Sequence, residues 1–151
     1  MTITVTPGDP RDPAATALLH ASHALMQSLF ADEDNHYLSI DDLCTPDIRF
    51  FVAQRNGATI GCGALAIKPG YGELKSMFVD PAARGAGVAD ALIDRLETAA
   101  RALELPLLRL ETGDTLHAAH KLYARHGFAT CGPFGDYQAN ASSLFMEKPL
   151  T

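Results

Sequence analysis

The segment Val79-Asp80-Pro81-Ala82-Ala83-Arg84-Gly85-Ala86-Gly87-Val88-Ala89 has the residue types and the order of a phosphate cradle. An apolar strand stops at Asp-Pro, a glycine-containing loop follows, and a long amphipathic helix begins beyond it. Backbone N–H groups at a helix N-terminus have no intrahelical acceptor, and the helix dipole favours negative charge there. The chemistry this predicts is the binding of a pyrophosphate-bearing cofactor.

The elements that must position this loop can be read from periodicity and turn residues. Ile3 to Thr6 is β-prone, and Asp12-Pro13 opens a helix carrying Leu18, Leu25 and Leu29, with Ala21 and Met26, as far as Phe30. An acidic segment, Asp32 to His36, and a short helix around Ser39 to Cys44 follow. Ile48 to Gln54 and Ala58 to Ile67 read as strands joined by Asn56-Gly57, a hairpin signal, and Lys68-Pro69-Gly70 turns into a third strand, Tyr71 to Val79. The next helix, Gly85 to Leu103, places Val88, Leu92, Leu96, Ala99 and Leu103 on one face. Leu107 to Glu111 is a buried-looking strand, Thr115 to His126 a helix closed by Gly127, and Phe128 to Cys131 and Ser143 to Lys148 are the last strands. The expected fold is one α/β (α+β) domain over residues 1–151, with a mixed, mostly antiparallel central sheet flanked by helices.

The net charge of −6 and the lack of a Lys/Arg run argue against nucleic acid as a partner. No apolar run is long enough to span a bilayer, and Met1 to Val5 is not a signal peptide, so a cytoplasmic protein is expected. Cys44, Cys62 and Cys131 lack CxxC spacing, and the six histidines lack HExxH spacing, which predicts reduced thiols and no metal site.

A Rossmann fingerprint needs a third glycine and a preceding βαβ order, and a Walker loop needs Gly-Lys-Ser/Thr; the Gly85–Ala89 loop has neither. It does fit an R/Q-x-x-G-x-G/A pattern through Arg84, Gly87 and Ala89. With Glu73 to Pro81 before it, and Leu110-Glu111-Thr112 and Leu122 to Phe128 after it, the chain resembles the GNAT (Gcn5-related N-acetyltransferase) superfamily over nearly its whole length. The closing Gly132 to Tyr137 and Phe145 to Lys148 resemble a branch of small bacterial members.

The resemblance implies acetyl-CoA as cofactor and acetyl donor. The amides of Gly85, Ala86, Gly87, Val88 and Ala89 would hold the pyrophosphate beside Arg84, and Met77, Phe78 and Val79 would pair with the pantetheine arm as a pseudo-strand. A bulge in that strand would splay it from the strand ending at Glu111. Many members carry an asparagine seven residues before the motif tyrosine; this chain has Leu116 there.

Acetyl transfer to an amine requires a neutral amine, a stabilised oxyanion and a protonated leaving thiolate; the free amine and thiol have pKa values near ~10.4 and ~8.5. The resemblance makes Tyr123 the acid, with aromatic packing of helix on sheet as the alternative. Two carboxylates compete as base: Glu73, placed like the glutamate of some histone-acetylating members, and Glu111, placed like that of ribosomal-protein N-terminal acetyltransferases. Either could instead be a strand-end charge, and Glu73 shares a strand face with Lys75. A backbone N–H of Phe78 or Val79 would meet the oxyanion.

In this fold Asp32 to Tyr37 and Phe134 to Tyr137 border the acceptor, which makes Glu33, His36, Phe134 and Tyr137 the candidate substrate contacts. Their acidic composition favours a cationic acceptor, a small-molecule primary amine. The expected function is therefore small-molecule N-acetylation through a ternary complex, with a homodimer as the assembly implied at family level. Two alternatives stay open: protein or peptide N-acetylation, and a non-catalytic acyl-CoA sensor.

Overall fold

The computed structural model describes residues 2–151; Met1, the first residue of the N-terminal segment read above, lies outside them. The elements run β1 (Thr4–Pro7), α1 (Pro13–Leu29), α2 (Ile40–Leu43), β2 (Ile48–Arg55), β3 (Ala58–Lys68), β4 (Tyr71–Val79), α3 (Val88–Ala102), β5 (Leu107–Gly113), α4 (His117–Arg125), β6 (Ala129–Cys131) and β7 (Ser143–Pro149). The seven strands form one sheet in the order β1-β2-β3-β4-β5-β7-β6.

The β2–β3 hairpin forms because Asn56 and Gly57 both take the left-handed conformation, with φ of 53° and 79°, that a tight two-residue turn demands. Side chains then alternate across the sheet. Phe50, Val52, Cys62 and Ala64 pack under α1 with Ala15, Leu18 and Leu19. Phe51, Leu65, Leu74, Leu108 and Leu110 pack on the opposite face against Ile93, Leu96 and Ala100 of α3 and Tyr123 of α4. Burying one such leucine contributes roughly 1.5–3 kcal/mol.

Two helix faces differ from the periodic reading. Leu29, the last residue of α1, and Leu103, the cap after α3, are 47% and 39% exposed. Ile93 and Ala100 fill the α3 contact instead. The helix also begins at Val88 rather than Gly85, with Gly87 at its N-cap in the left-handed region (φ 82°).

One break in the sheet shapes everything that follows. β4 and β5 run parallel, but they pair only from Gly72 to Leu74 against Leu108 to Leu110. Beyond Leu74 the β3–β4 register slips between Cys62 and Ala64, and Ser76 takes a left-handed φ of 56°. A bulge of this kind bends and twists its strand. β5 meanwhile stays paired with β7 from Leu107 to Gly113, so the two parallel strands part.

The α3 face carries an acid-sensitive contact. Glu97 accepts from Lys148 at 2.5 Å and from Arg101 at 3.1 Å. Burial alone would raise its pKa, but these two cations outweigh it and hold the carboxyl below its ordinary value. A depressed carboxyl stabilises the fold fully above its unfolded pKa and loses that contribution as pH falls through the folded value. Thermal melts between pH 6 and 3 should therefore show a shallower acid loss of Tm in Glu97→Gln than in the wild type; identical slopes would remove Glu97 from the account.

Candidate active site

The parting of β4 and β5 opens a cleft of about 160 Å³ bordered by Ser76 and Met77, by Glu111, Thr112 and Gly113, and by Tyr123. Ser22 and Met26 of α1, with Phe30 just after it, supply another wall. Gly113 is what lets Phe30 in, since a Cβ there would stand 2.2 Å from the Phe30 ring. Ser76, on the bulge, contributes a buried hydroxyl with no hydrogen-bond partner among the described residues.

Tyr123 and Glu111 both border this cleft, one from α4 and the other from β5. Tyr123 is buried on α4, edge-on to Phe128 at 5.8 Å, and its hydroxyl makes no hydrogen bond among the described residues. Burial pushes this phenol up to about 12, so it keeps its proton throughout the neutral range. Glu111 is half-buried and accepts a 2.7 Å hydrogen bond from Ser143 Oγ on β7. That bond leaves the carboxylate open to the cleft while fixing its direction.

Glu73 has a different setting. It is 4% exposed and borders a neighbouring cavity of about 470 Å³, lined also by Lys68, Tyr71, Lys75, Asp136 and Tyr137. Tyr137 donates to Glu73 Oε2 at 2.5 Å, and the Lys75 ammonium stands 3.4 Å from the same oxygen. Lys75 also donates to the Tyr137 hydroxyl and the His36 carbonyl, both at 2.8 Å. Burial, followed by the Glu73 charge and hydrogen bond, drives the Tyr137 phenol well above its usual pKa. Lys75 thereby fastens residues 36 and 137 to β4, and Ser142 donating to Asp34 at 3.0 Å adds a second tie between the same two segments.

Of the expected acceptor contacts, His36 borders both cavities and Tyr137 the larger one. The other two, Glu33 and Phe134, line neither cavity. Glu33 is exposed on a 3₁₀ turn and borders neither cavity, because the acidic segment turns Asp34 rather than its neighbours inward. Phe134 is buried beneath the site, edge-on to Tyr71, Tyr137 and Phe145, and supports the cavity floor without lining it. The residues that the motifs did not single out are Lys75 as a clasp, Ser143 as the Glu111 partner, and Ser76. Only Lys75 left a trace in the sequence, two positions from Glu73 on one strand face.

The loop after β4 has the form a pyrophosphate needs. Gly85 and Gly87 sit at φ of 81° and 82°, and a Cβ added at either would meet nothing within 4 Å, so the concave side is open. Ala91 N–H donates to the Gly87 carbonyl at 3.1 Å, which puts the amides of Val88 and Ala89 ahead of the helical ladder and free to face an anion. Val88 is buried and anchors the turn, while Ala86 is exposed beside the two glycines. Arg84 is exposed, with its guanidinium 5.9 Å from the Phe78 ring centre, and that ring is itself buried under α1. Met77 and Val79 are half-buried along the splayed end of β4, where strand pairing with β5 has ceased. Lys121 is exposed and Arg125 is paired with Asp90 at 3.0 Å.

Residues 16–128 match the profile of the acetyltransferase (GNAT) family. The chain belongs to that family. It is 45% identical to the IAA acetyltransferase of Azospirillum brasilense, with 98% of each chain covered. A solved structure from Klebsiella pneumoniae, assigned as an acyl-CoA N-acyltransferase, is 34% identical with a TM-score of 0.84 and 99% of each chain covered. A GNAT acetyltransferase from Elizabethkingia anophelis with acetyl-CoA bound shares the fold at a TM-score of 0.73 and 18% identity, over 98% of each chain. The chain is thus a GNAT acetyltransferase, and acetyl-CoA is the cofactor that this membership assigns to it. Among the described residues no helix is long and apolar enough to cross a membrane.

Proposed function

We propose that this GNAT enzyme acetylates the primary amine of a small molecule, with Glu111 as base and Tyr123 as acid. The observation that supports the reading is that both border one cleft, at the point where β4 leaves β5. Acetyl-CoA supplies an activated acetyl thioester. The open amides of the Gly85–Ala89 loop and the arm of Met77, Phe78 and Val79 would hold it in line with that cleft.

Glu111 is held by Ser143 with its carboxylate toward the cleft, where it can accept a proton from an incoming ammonium, directly or through one water. Tyr123 retains its proton at Oη and offers it to the departing sulfur. The backbone N–H of Phe78 or Val79 is the donor proposed for the oxyanion. Glu73 is better suited to structure than to proton removal, since it is buried and its Oε2 is engaged by both Tyr137 and Lys75.

A small acceptor suits the site better than a protein chain. The segments around His36 and Tyr137 are clasped to β4 through Lys75, and the spaces they border are about 160 and 470 Å³, the size of a small molecule. The experiment is incubation with acetyl-CoA and a panel of free amines and N-terminal peptides, with released thiol as readout. Turnover on free amines supports the proposal; turnover on peptides alone, or coenzyme binding with no turnover, overturns it in favour of a peptide acetyltransferase or a sensor.

A further inference from the structure

Resting on the reading that this enzyme acetylates an amine from acetyl-CoA, we propose that the Ser76 hydroxyl is a further catalytic group. It donates a hydrogen bond to the acetyl carbonyl and to the oxyanion that forms from it.

Ser76 departs from ordinary behaviour in two independent ways. Its φ of 56° lies in the left-handed region that residues other than Gly, Asn and Asp seldom take. Its Oγ is buried and has no hydrogen-bond partner among the described residues. Strained backbone and an unpartnered buried hydroxyl each cost stability, and features of this kind gather where a protein binds or reacts. The other buried side-chain atom without a partner among the described residues is His23 Nε2, and His23 borders neither cavity. Ser76 borders the cleft.

The rest of the residue is held in place. The β3–β4 pairing steps from Cys62–Phe78 to Ala64–Lys75, so Ser76 and Met77 have no register partner on β3, and pairing with β5 has already stopped at Leu74. The Ser76 carbonyl is answered instead by the Cys62 thiol, which donates to it at 3.3 Å. Burial pushes that thiol up to about 12, so it stays protonated and keeps donating. The hydroxyl is the group left over, carried on one rotatable bond by a residue fixed at the cleft.

The direction of the coenzyme brings the reacting carbonyl to the same residue. With pyrophosphate at the Gly85–Ala89 loop, the pantetheine arm runs back along Val79, Phe78 and Met77, and the next residue that its thioester reaches is Ser76. Tyr123 and Glu111 border the same cleft. As the amine nitrogen bonds to the carbonyl carbon, the π pair of the C=O bond moves onto oxygen. The Ser76 O–H donates to that oxygen beside the backbone N–H, and its own proton stays on Oγ.

Ser76→Ala should lower kcat by about 10²-fold, the scale of one oxyanion donor, with KM for acetyl-CoA little changed. Its Tm should hold or rise, because an unpartnered buried hydroxyl is removed. Ser76→Gly, which also suits the left-handed φ, should lose kcat equally. Isotope-edited infrared spectra of bound acetyl-CoA, labelled at the acetyl carbonyl carbon, should show the C=O stretch at higher frequency in both variants than in the wild type. Wild-type kcat in both variants, or a loss of kcat with a lowered Tm and an unmoved carbonyl band, overturns the role of Ser76 and leaves amine acetylation standing. A moved band in a protein that turns over no free amine overturns amine acetylation and leaves the Ser76 hydrogen bond to the acetyl group.

Discussion

Glu111→Gln is expected to lower kcat for amine acetylation by about 10²–10⁴-fold, the usual contribution of a positioned base. Binding of coenzyme A, followed by calorimetry, should be unchanged, because Glu111 lies on β5 and is no part of the Gly85–Ala89 loop. Glutamine keeps the shape of the side chain and can still accept from Ser143, so loss of rate isolates the missing negative oxygen. Glu73→Gln should behave differently. It leaves Lys75 without its carboxylate and loosens the Tyr137 contact, so the acceptor site relaxes and KM for the acceptor rises more than kcat falls. Tyr123→Phe removes a single hydroxyl that bonds nothing else among the described residues, so its Tm should stay near that of the wild type while kcat drops. A full loss of kcat in Glu73→Gln with Glu111→Gln active would exchange the two roles.

The two glutamates also mark the boundary of what could be read from sequence. Strands β2 to β4 were legible because alternating apolar residues and the Asn56-Gly57 and Pro69-Gly70 turns fix both length and direction locally. The loop and its following helix were legible because glycines, Asp-Pro and helical periodicity lie within one short segment. The distinction between Glu73 and Glu111 was not local. It depends on Tyr137, Lys75 and the His36 carbonyl meeting at one strand, and on Ser143 standing across from Glu111 through β5–β7 pairing. Which acidic residue of Asp32 to Asp34 borders the cleft was likewise not local, because the 3₁₀ turn leaves Asp32 and Glu33 exposed and only Asp34 at the cleft. Leu116 remains a departure from the family pattern: it borders the cleft with an apolar side chain and opens α4 without a side-chain cap.

Gly87→Val is expected to raise KM for acetyl-CoA and the Kd for coenzyme A by roughly 10²-fold or more, with little effect on KM for the acceptor. Gly87 stands at φ 82°, where a β-branched side chain is strained by about 1–2 kcal/mol. The space around its missing Cβ is open, so the new side chain would not clash within the protein and would crowd the side of the loop proposed for the phosphate oxygens. Relief of the strain would turn the Val88 and Ala89 amides away from a common centre. Two charge-assisted hydrogen bonds at about 1.5–3 kcal/mol each set the scale of the loss. Gly70, also at φ 82° with open space around it, lies in the β3–β4 turn away from this loop and serves as the control. Gly70→Val should cost a similar increment of Tm with no change in coenzyme affinity. Equal affinity losses in both variants would mean that backbone strain alone is being measured; a loss confined to Gly87→Val identifies the loop as the pyrophosphate site.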